Sequence, residues 1–176
     1  MSRQSADEFA RKVAIVQSQS TAAEGIGRRR TPFTQDELNS WFAFRAEPLL
    51  PMGLTQPQVT IVGQGQLAGQ AILDLDVVAK RRSGGGGSFD PLSFLAGRVP
   101  VSVTGVLHTA DGKGRIEVQS AQISGVPVPA SLLEELVGYY SRSPERPDGL
   151  SLGDMFQLPA NIRQIEIGKG QAVIIQ

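Results

Sequence analysis

Three groups of residues in this 176-residue chain are of types that do chemistry. The first is His108, the one histidine in a chain without a single cysteine. A serine-hydrolase arrangement would use His108 as its general base, but no Gly-x-Ser-x-Gly nucleophile elbow is present. His108 falls just before a tight turn, on the polar side of its strand, where a solvated side chain is the simpler reading. The second group is Asp74 and Asp76, two positions apart on one expected strand face. Paired carboxylates act as acid and base or ligate calcium. Calcium takes about six to eight oxygens, and no Asp/Asn-rich loop with a closing Glu surrounds this pair. A solvent-facing polar edge fits them better. The third group is the Gly84–Gly87 run, which lacks the Gly-Lys-Ser/Thr of a phosphate-cradling loop and reads as a flexible connector. Without cysteine there are no disulfides, thiolate metal sites or thiol nucleophiles. The expectation is a protein with no catalytic residue, no metal and no cofactor.

Charge narrows the partners. Seventeen Lys+Arg balance seventeen Asp+Glu, so nothing drives the chain as a whole toward nucleic acid. The balance hides two basic triplets, Arg28-Arg29-Arg30 and Lys80-Arg81-Arg82. Solvated loop charge is their plainest meaning. A functional meaning is contact with an anionic membrane surface, where each Lys or Arg is worth about 1 kcal/mol. No aromatic residues interleave with them, which speaks against single-stranded nucleic acid.

The elements that would position such groups follow from periodicity. Ser5-Ala6-Asp7-Glu8 has capping-box spacing, and Phe9, Val13 and Val16 recur at helical intervals, predicting a helix over 6–20. Residues 21–31, with two glycines and three arginines, read as a linker. Thr34 and Glu37 form a second capping box, Phe33 and Leu38 a hydrophobic staple, and the helix predicted over 35–46 carries Leu38, Trp41 and Phe42. The period then switches from 3.6 to 2. Val59 and Ile61 lead through Gly63-Gln64-Gly65 into a return strand alternating Leu67, Gly69, Ala71, Leu73, Leu75 and Val77. Gly69 and Ala71 leave room for a close neighbour. Residues 80–88 form a low-complexity loop, and Asp90-Pro91 opens a short helix. A second hairpin runs from Val101 to Leu107 and back through Ile116 and Val118 around Asp111-Gly112-Lys113-Gly114. Its alternation slips near Ser120-Ala121, the mark of a bulge. Ser131 and Glu134 make a third capping box, and the helix predicted over 131–142 shows a broad face of Leu132, Leu133, Leu136, Val137 and Tyr140. After the loop 143–149, a last hairpin turns at Gly168-Lys169-Gly170. The three Gly-x-Gly turns read as one turn solution used three times. Tight hairpins with irregularly interspersed helices imply an α+β protein.

Several short motifs carry a resemblance: Phe-Thr-Gln-Asp-Glu-Leu-Asn at 33–39, Leu-Asp-Leu-Asp at 73–76, Val-Pro-Val-Ser-Val-Thr-Gly-Val-Leu at 99–107 and Val-Pro-Val-Pro-Ala-Ser-Leu-Leu at 126–133. In this order, and closed by a hairpin, they resemble the bacterial extracytoplasmic lipid-binding proteins related to the tubular lipid-binding (TULIP-like) superfamily. The likeness covers about residues 32–176, leaving 1–31 as an N-terminal helix and basic linker. It implies a curved antiparallel sheet of hairpins wrapped around two or three helices. It also implies non-enzymatic binding of a lipid or other amphiphile, and a periplasmic or envelope location. The chain shows no basic region followed by an apolar stretch at its start, so that location rests on the resemblance. The residues give the groove candidates: Leu38, Trp41 and Phe42 on one helix, Leu132, Leu133, Leu136 and Tyr140 on the other. The alternatives are an interaction domain of the envelope with a filled core, and a hydrolase in which His108 or the Asp74/Asp76 pair shares a cleft.

Overall fold

The computed structural model describes residues 1–18, 29–50, 52–77, 96–140, 147–149 and 151–176, with the backbone alone at 135, 136, 139 and 140. The protein is α+β. In chain order it comprises α1 (Arg3–Ser18), β1 (Arg30–Thr34), α2 (Gln35–Phe44), a 3-10 turn (Glu47–Leu49), β2 (Leu54–Gly63), β3 (Gln66–Asp74), β4 (Arg98–Ala110), β5 (Lys113–Ile123), β6 (Val126–Pro127), α3 (Ala130–Tyr140), β7 (Phe156–Gln157), β8 (Gln164–Ile167) and β9 (Gln171–Ile175). The strands divide into two sheets. The larger has the order β2-β3-β4-β5-β6, with β7 also pairing β5, and the smaller the order β1-β9-β8. Every pair is antiparallel. Residues 19–28, 78–95 and 141–146 lie outside the described residues. With them go most of the expected linker, the glycine loop, the Asp90-Pro91 helix and the last two residues of the helix expected over 131–142.

The alternation seen in the sequence sets one face of the larger sheet. Leu73 faces Val99, Ala71 faces Val101 and Gly69 faces Val103. Val101 in turn faces Ile123, Val103 faces Ala121, and Leu107 faces Ile116. At one end of this face Leu75 and Val99 form a buried cluster with Leu73, Val101, Ile123 and Leu132 of α3. The strand expected to run to Val77 ends sooner, at Asp74. Its carboxylate accepts the Val77 amide at 3.1 Å and caps a helical turn that begins at Leu75.

The expected bulge is present. Thr104 pairs with Ser120 and Gly105 with Val118, leaving Gln119 unopposed. A Cβ at Gly105 would stand 2.7 Å from the Glu117 carbonyl oxygen, so this crossing requires glycine. The repeated turn differs from expectation at its third site. Gln64-Gly65, Asp111-Gly112 and Ser124-Gly125 each place two successive residues at positive φ, the geometry that matches the right-handed twist of a two-residue hairpin. In the 168–170 turn only Gly170 has positive φ.

α1 belongs to the packed body. Its first turn is capped by Ser2, whose hydroxyl accepts the Ser5 amide at 3.0 Å, not by Ser5. The Ser5–Glu8 spacing signals a start one turn too late, because Ser2 already supplies the acceptor. Phe9 meets Phe33 edge-on at 5.4 Å and Trp41 at 5.7 Å, and Trp41 meets Phe42 at 5.5 Å. α3 likewise begins at Ala130, one residue early, because the Pro129 carbonyl takes the first helical bond from Leu133. The α2 box forms as expected, with Glu37 holding the Thr34 amide at 2.7 Å. The other Glu37 oxygen takes the Lys12 ammonium at 2.7 Å, which ties α1 to α2.

Burial pushes the Glu37 carboxyl up. The Lys12 ammonium and the hydrogen bonds from Thr34 outweigh it and hold the group below its ordinary value of 4.5. A carboxylate depressed in the folded state adds stability above its unfolded pKa and loses it as pH falls through the folded one. Stability is therefore expected to decline below about pH 4.5, and Glu37→Gln to flatten that part of the profile. Unfolding followed by the single tryptophan, Trp41, at a series of pH values checks this.

Candidate functional site

The groups that looked chemical do not converge. Asp74 caps a helical turn, and Asp76 accepts the Gly97 amide at 3.2 Å. They do not share a strand face, because Asp76 lies in the turn beyond β3. His108 is exposed and bonds Glu117 at 3.1 Å across the β4–β5 hairpin. Arg98, the register partner of Asp74, and His108 stand near opposite ends of β4, about 30 Å apart at ~3.3 Å per residue. The shared cleft that a hydrolase reading requires is not formed by these residues.

The two apolar helix faces also separate. Trp41 and Phe42 sit in the aromatic cluster with Phe9 and Phe33, and Leu38 is half-buried on the same helix. Through Phe9, α1 thus covers part of the apolar face of α2. On α3, Leu132 closes the core cluster while Leu133 faces a cleft. The side chains of Leu136 and Tyr140 lie outside the described residues. So do Arg28, Lys80, Arg81 and Arg82. Arg29 exchanges backbone bonds with Gln176 at 3.0 and 3.1 Å, and the Arg30 guanidinium pairs with Glu166 at 2.6 Å.

That cleft is the candidate site. It encloses about 320 Å³ between β5 and α3, within the range of small-molecule pockets. Its apolar lining comes from Ile116, Val118 and Ala121 on β5, with Val128, Leu133 and Leu152 opposite. Arg115, Glu117 and Glu134 stand at its polar rim. The sheet face that feeds into it is incompletely covered: Val103 is 41% and Ile116 47% exposed. A Cβ built at Gly69 would make ordinary van der Waals contact with Val103, at 3.5 Å. Two other hollows are of different character. One, of about 740 Å³, opens widely along α1 beside the Asp7–Arg45 ion pair. The other, of about 300 Å³, crosses the polar sheet face at Gln58, Gln70 and Ser102.

No known family model or curated protein matches the chain. The site is therefore read from its own residues. Sequence periodicity placed Ile116, Val118 and Leu133 on apolar faces but missed Ala121, Val128 and Leu152. The one available signal was the slip in alternation near Ser120-Ala121, since bulges concentrate at sheet edges and beside binding sites.

Among the described residues, no three His, Cys, Asp or Glu side chains group as metal ligands, and no helix is long and apolar enough to cross a membrane.

Proposed function

We propose that this protein binds or carries a lipid or other amphiphile without transforming it. The apolar chain lies in the cleft between β5 and α3. The observation that carries this reading is the apolar lining of the cleft, continuous with a sheet face left exposed at Val103 and Ile116. Apolar surface of this kind gains about 25 cal/mol per Å² on leaving water, and a hydrocarbon chain is the ligand that supplies the matching surface. The polar rim of Arg115, Glu117 and Glu134 then faces a headgroup. An extracytoplasmic location, and contact of the basic triplets with an anionic membrane, belong to the same proposal.

Native mass spectrometry of the purified protein tests it, alone and with added fatty acid or phospholipid. Retained or newly bound ligand at one per chain, with a rise in thermal stability, is the expected result. Apo protein throughout, with no stabilisation by either additive, would overturn the reading. The competing reading is an envelope interaction domain with a filled core. The half-buried aromatic cluster of Phe9, Phe33, Trp41 and Phe42, packed ring against ring, favours it for the α1–α2 half of the molecule.

A further inference from the structure

The two edges of the larger sheet are treated differently. On β2 the outward-facing backbone is covered. Asn39 accepts the Val59 amide at 2.7 Å and donates to the Val59 carbonyl at 2.8 Å. Gln35 accepts the Ile61 amide at 2.8 Å, and the Gly170 amide donates to the Ile61 carbonyl at 2.8 Å. On β5 the two ends are covered and the middle is open. Lys113 and Gly114 pair with β7, and Gln122 and Ile123 pair with β6. Leu158 donates to the Gly112 carbonyl and Val128 to the Ala121 carbonyl. Between these points, over 115–120, no strand among the described residues pairs with the outer edge of β5.

This open stretch is one wall of the apolar cleft. A ligand there meets hydrocarbon on one side and, on the other, backbone amides and carbonyls that no strand among the described residues pairs. A bare acyl chain would leave those polar groups without partners, whereas an extended peptide supplies donors and acceptors at the spacing of a strand. The opening is short, about 20 Å for six residues, and β6 and β7 block both ends. The bulge at Gln119 and the charges of Arg115 and Glu117 are features that keep a second sheet from docking edge to edge. The fit is to a short single strand rather than to another copy of the protein.

We infer that the ligand of the cleft is an acylated peptide. Its hydrocarbon chain lies among Val118, Ala121 and Leu133, and its first residues add as a short strand to the open edge of β5. The inference rests on the amphiphile reading and names its ligand class. The test compares the affinity of five probes for the full chain. They are laurate, an N-lauroyl hexapeptide, its N-acetyl counterpart, and two lauroyl twins N-methylated at odd or at even amides. The lauroyl peptide is expected to bind at least about tenfold more tightly than laurate and than the acetyl peptide. One methylated twin, the one whose methyl groups face β5, should lose that gain while the other keeps it. Equal binding of laurate, the lauroyl peptide and both twins would overturn the inference and leave the amphiphile reading standing. An acetyl peptide as tight as the lauroyl one would overturn it as well. Failure of laurate and of every lauroyl peptide to bind would overturn both.

Discussion

Asn39→Ala is expected to destabilise the protein by about 2–3 kcal/mol, more than any other single substitution on α2 outside the aromatic cluster. The carboxamide of Asn39 makes both hydrogen bonds that a neighbouring strand would make to Val59. Truncation leaves an amide and a carbonyl of a half-buried strand edge without partners, and an unpaired buried group costs about 1–3 kcal/mol. It also detaches α2 from β2 at the point where the helix-bearing half meets the larger sheet. Asn39→Asp separates hydrogen bonding from packing. At neutral pH its carboxylate still accepts from the Val59 amide but sets a negative oxygen against the Val59 carbonyl. Protonation restores a donor. Relative to the parent at the same pH, Asn39→Asp should therefore be as damaging as alanine near pH 7 and recover near pH 4. Urea unfolding followed by Trp41 fluorescence measures all three proteins. A loss under about 0.5 kcal/mol, the range of ordinary surface changes, would show that solvent replaces the side chain at this edge.

Asn39 also shows what could be read from the sequence. Local rules found what local rules govern. The Thr34–Glu37 box, the positive-φ turns at Gln64-Gly65 and Asp111-Gly112, and the bulge beside Gln119 each depend on residues within a few positions of one another. Gln35 and Asn39 lie one helical turn apart, so their shared face was visible. Their partners Val59 and Ile61 are 20 and 26 residues away, and nothing in the helix names them. The same limit explains the α2 face. Leu38, Trp41 and Phe42 mark an apolar stripe, but whether a ligand or another helix covers it depends on Phe9, whose approach is a tertiary event. Asp74 and Asp76 looked paired only while the strand was assumed to continue, and the capping bond from Val77 ends that assumption.

The cleft was half legible for a related reason. Leu133 stood out on a helical face, but the depression beside it exists because β5 bulges at Gln119 and because β6 and β7 stop short of each other. Ser124-Gly125 turns the chain back onto β5 for only two paired residues before α3 begins at Ala130, and that geometry leaves part of the sheet edge uncovered. The proposed function depends on what the fold leaves unfilled, and hydrophobic periodicity records only which faces are apolar.

Filling that space should abolish binding. Ala121→Phe puts a ring where the cleft floor has a methyl group, facing Val103 across the sheet. Ala121 is itself buried, at 9% exposure, but Val103 opposite it is 41% exposed, so the ring has its room on the Val103 side, away from the core cluster at Leu75 and Val99. If the ring excludes about four methylenes of a bound chain at ~0.8 kcal/mol each, the loss is about 3 kcal/mol. That corresponds to about two orders of magnitude in Kd. Affinity is read by displacement of a fluorescent fatty acid, with unfolding measured on the same sample to show that the variant is folded. Ser102→Phe is the control. It adds the same ring on the exposed polar face, where Ser102 pairs with Gln70 and Gln122. It should leave affinity unchanged. Equal affinity for the parent and both variants would place the bound chain away from β5. A comparable loss in both would mean that the ring acts through the sheet as a whole. Selective loss at Ala121 ties the ligand to the apolar face, and a series of acids of increasing length then measures how far along it the chain extends. The slope should approach ~0.8 kcal/mol per methylene while the cleft is filling and fall once the chain emerges into water.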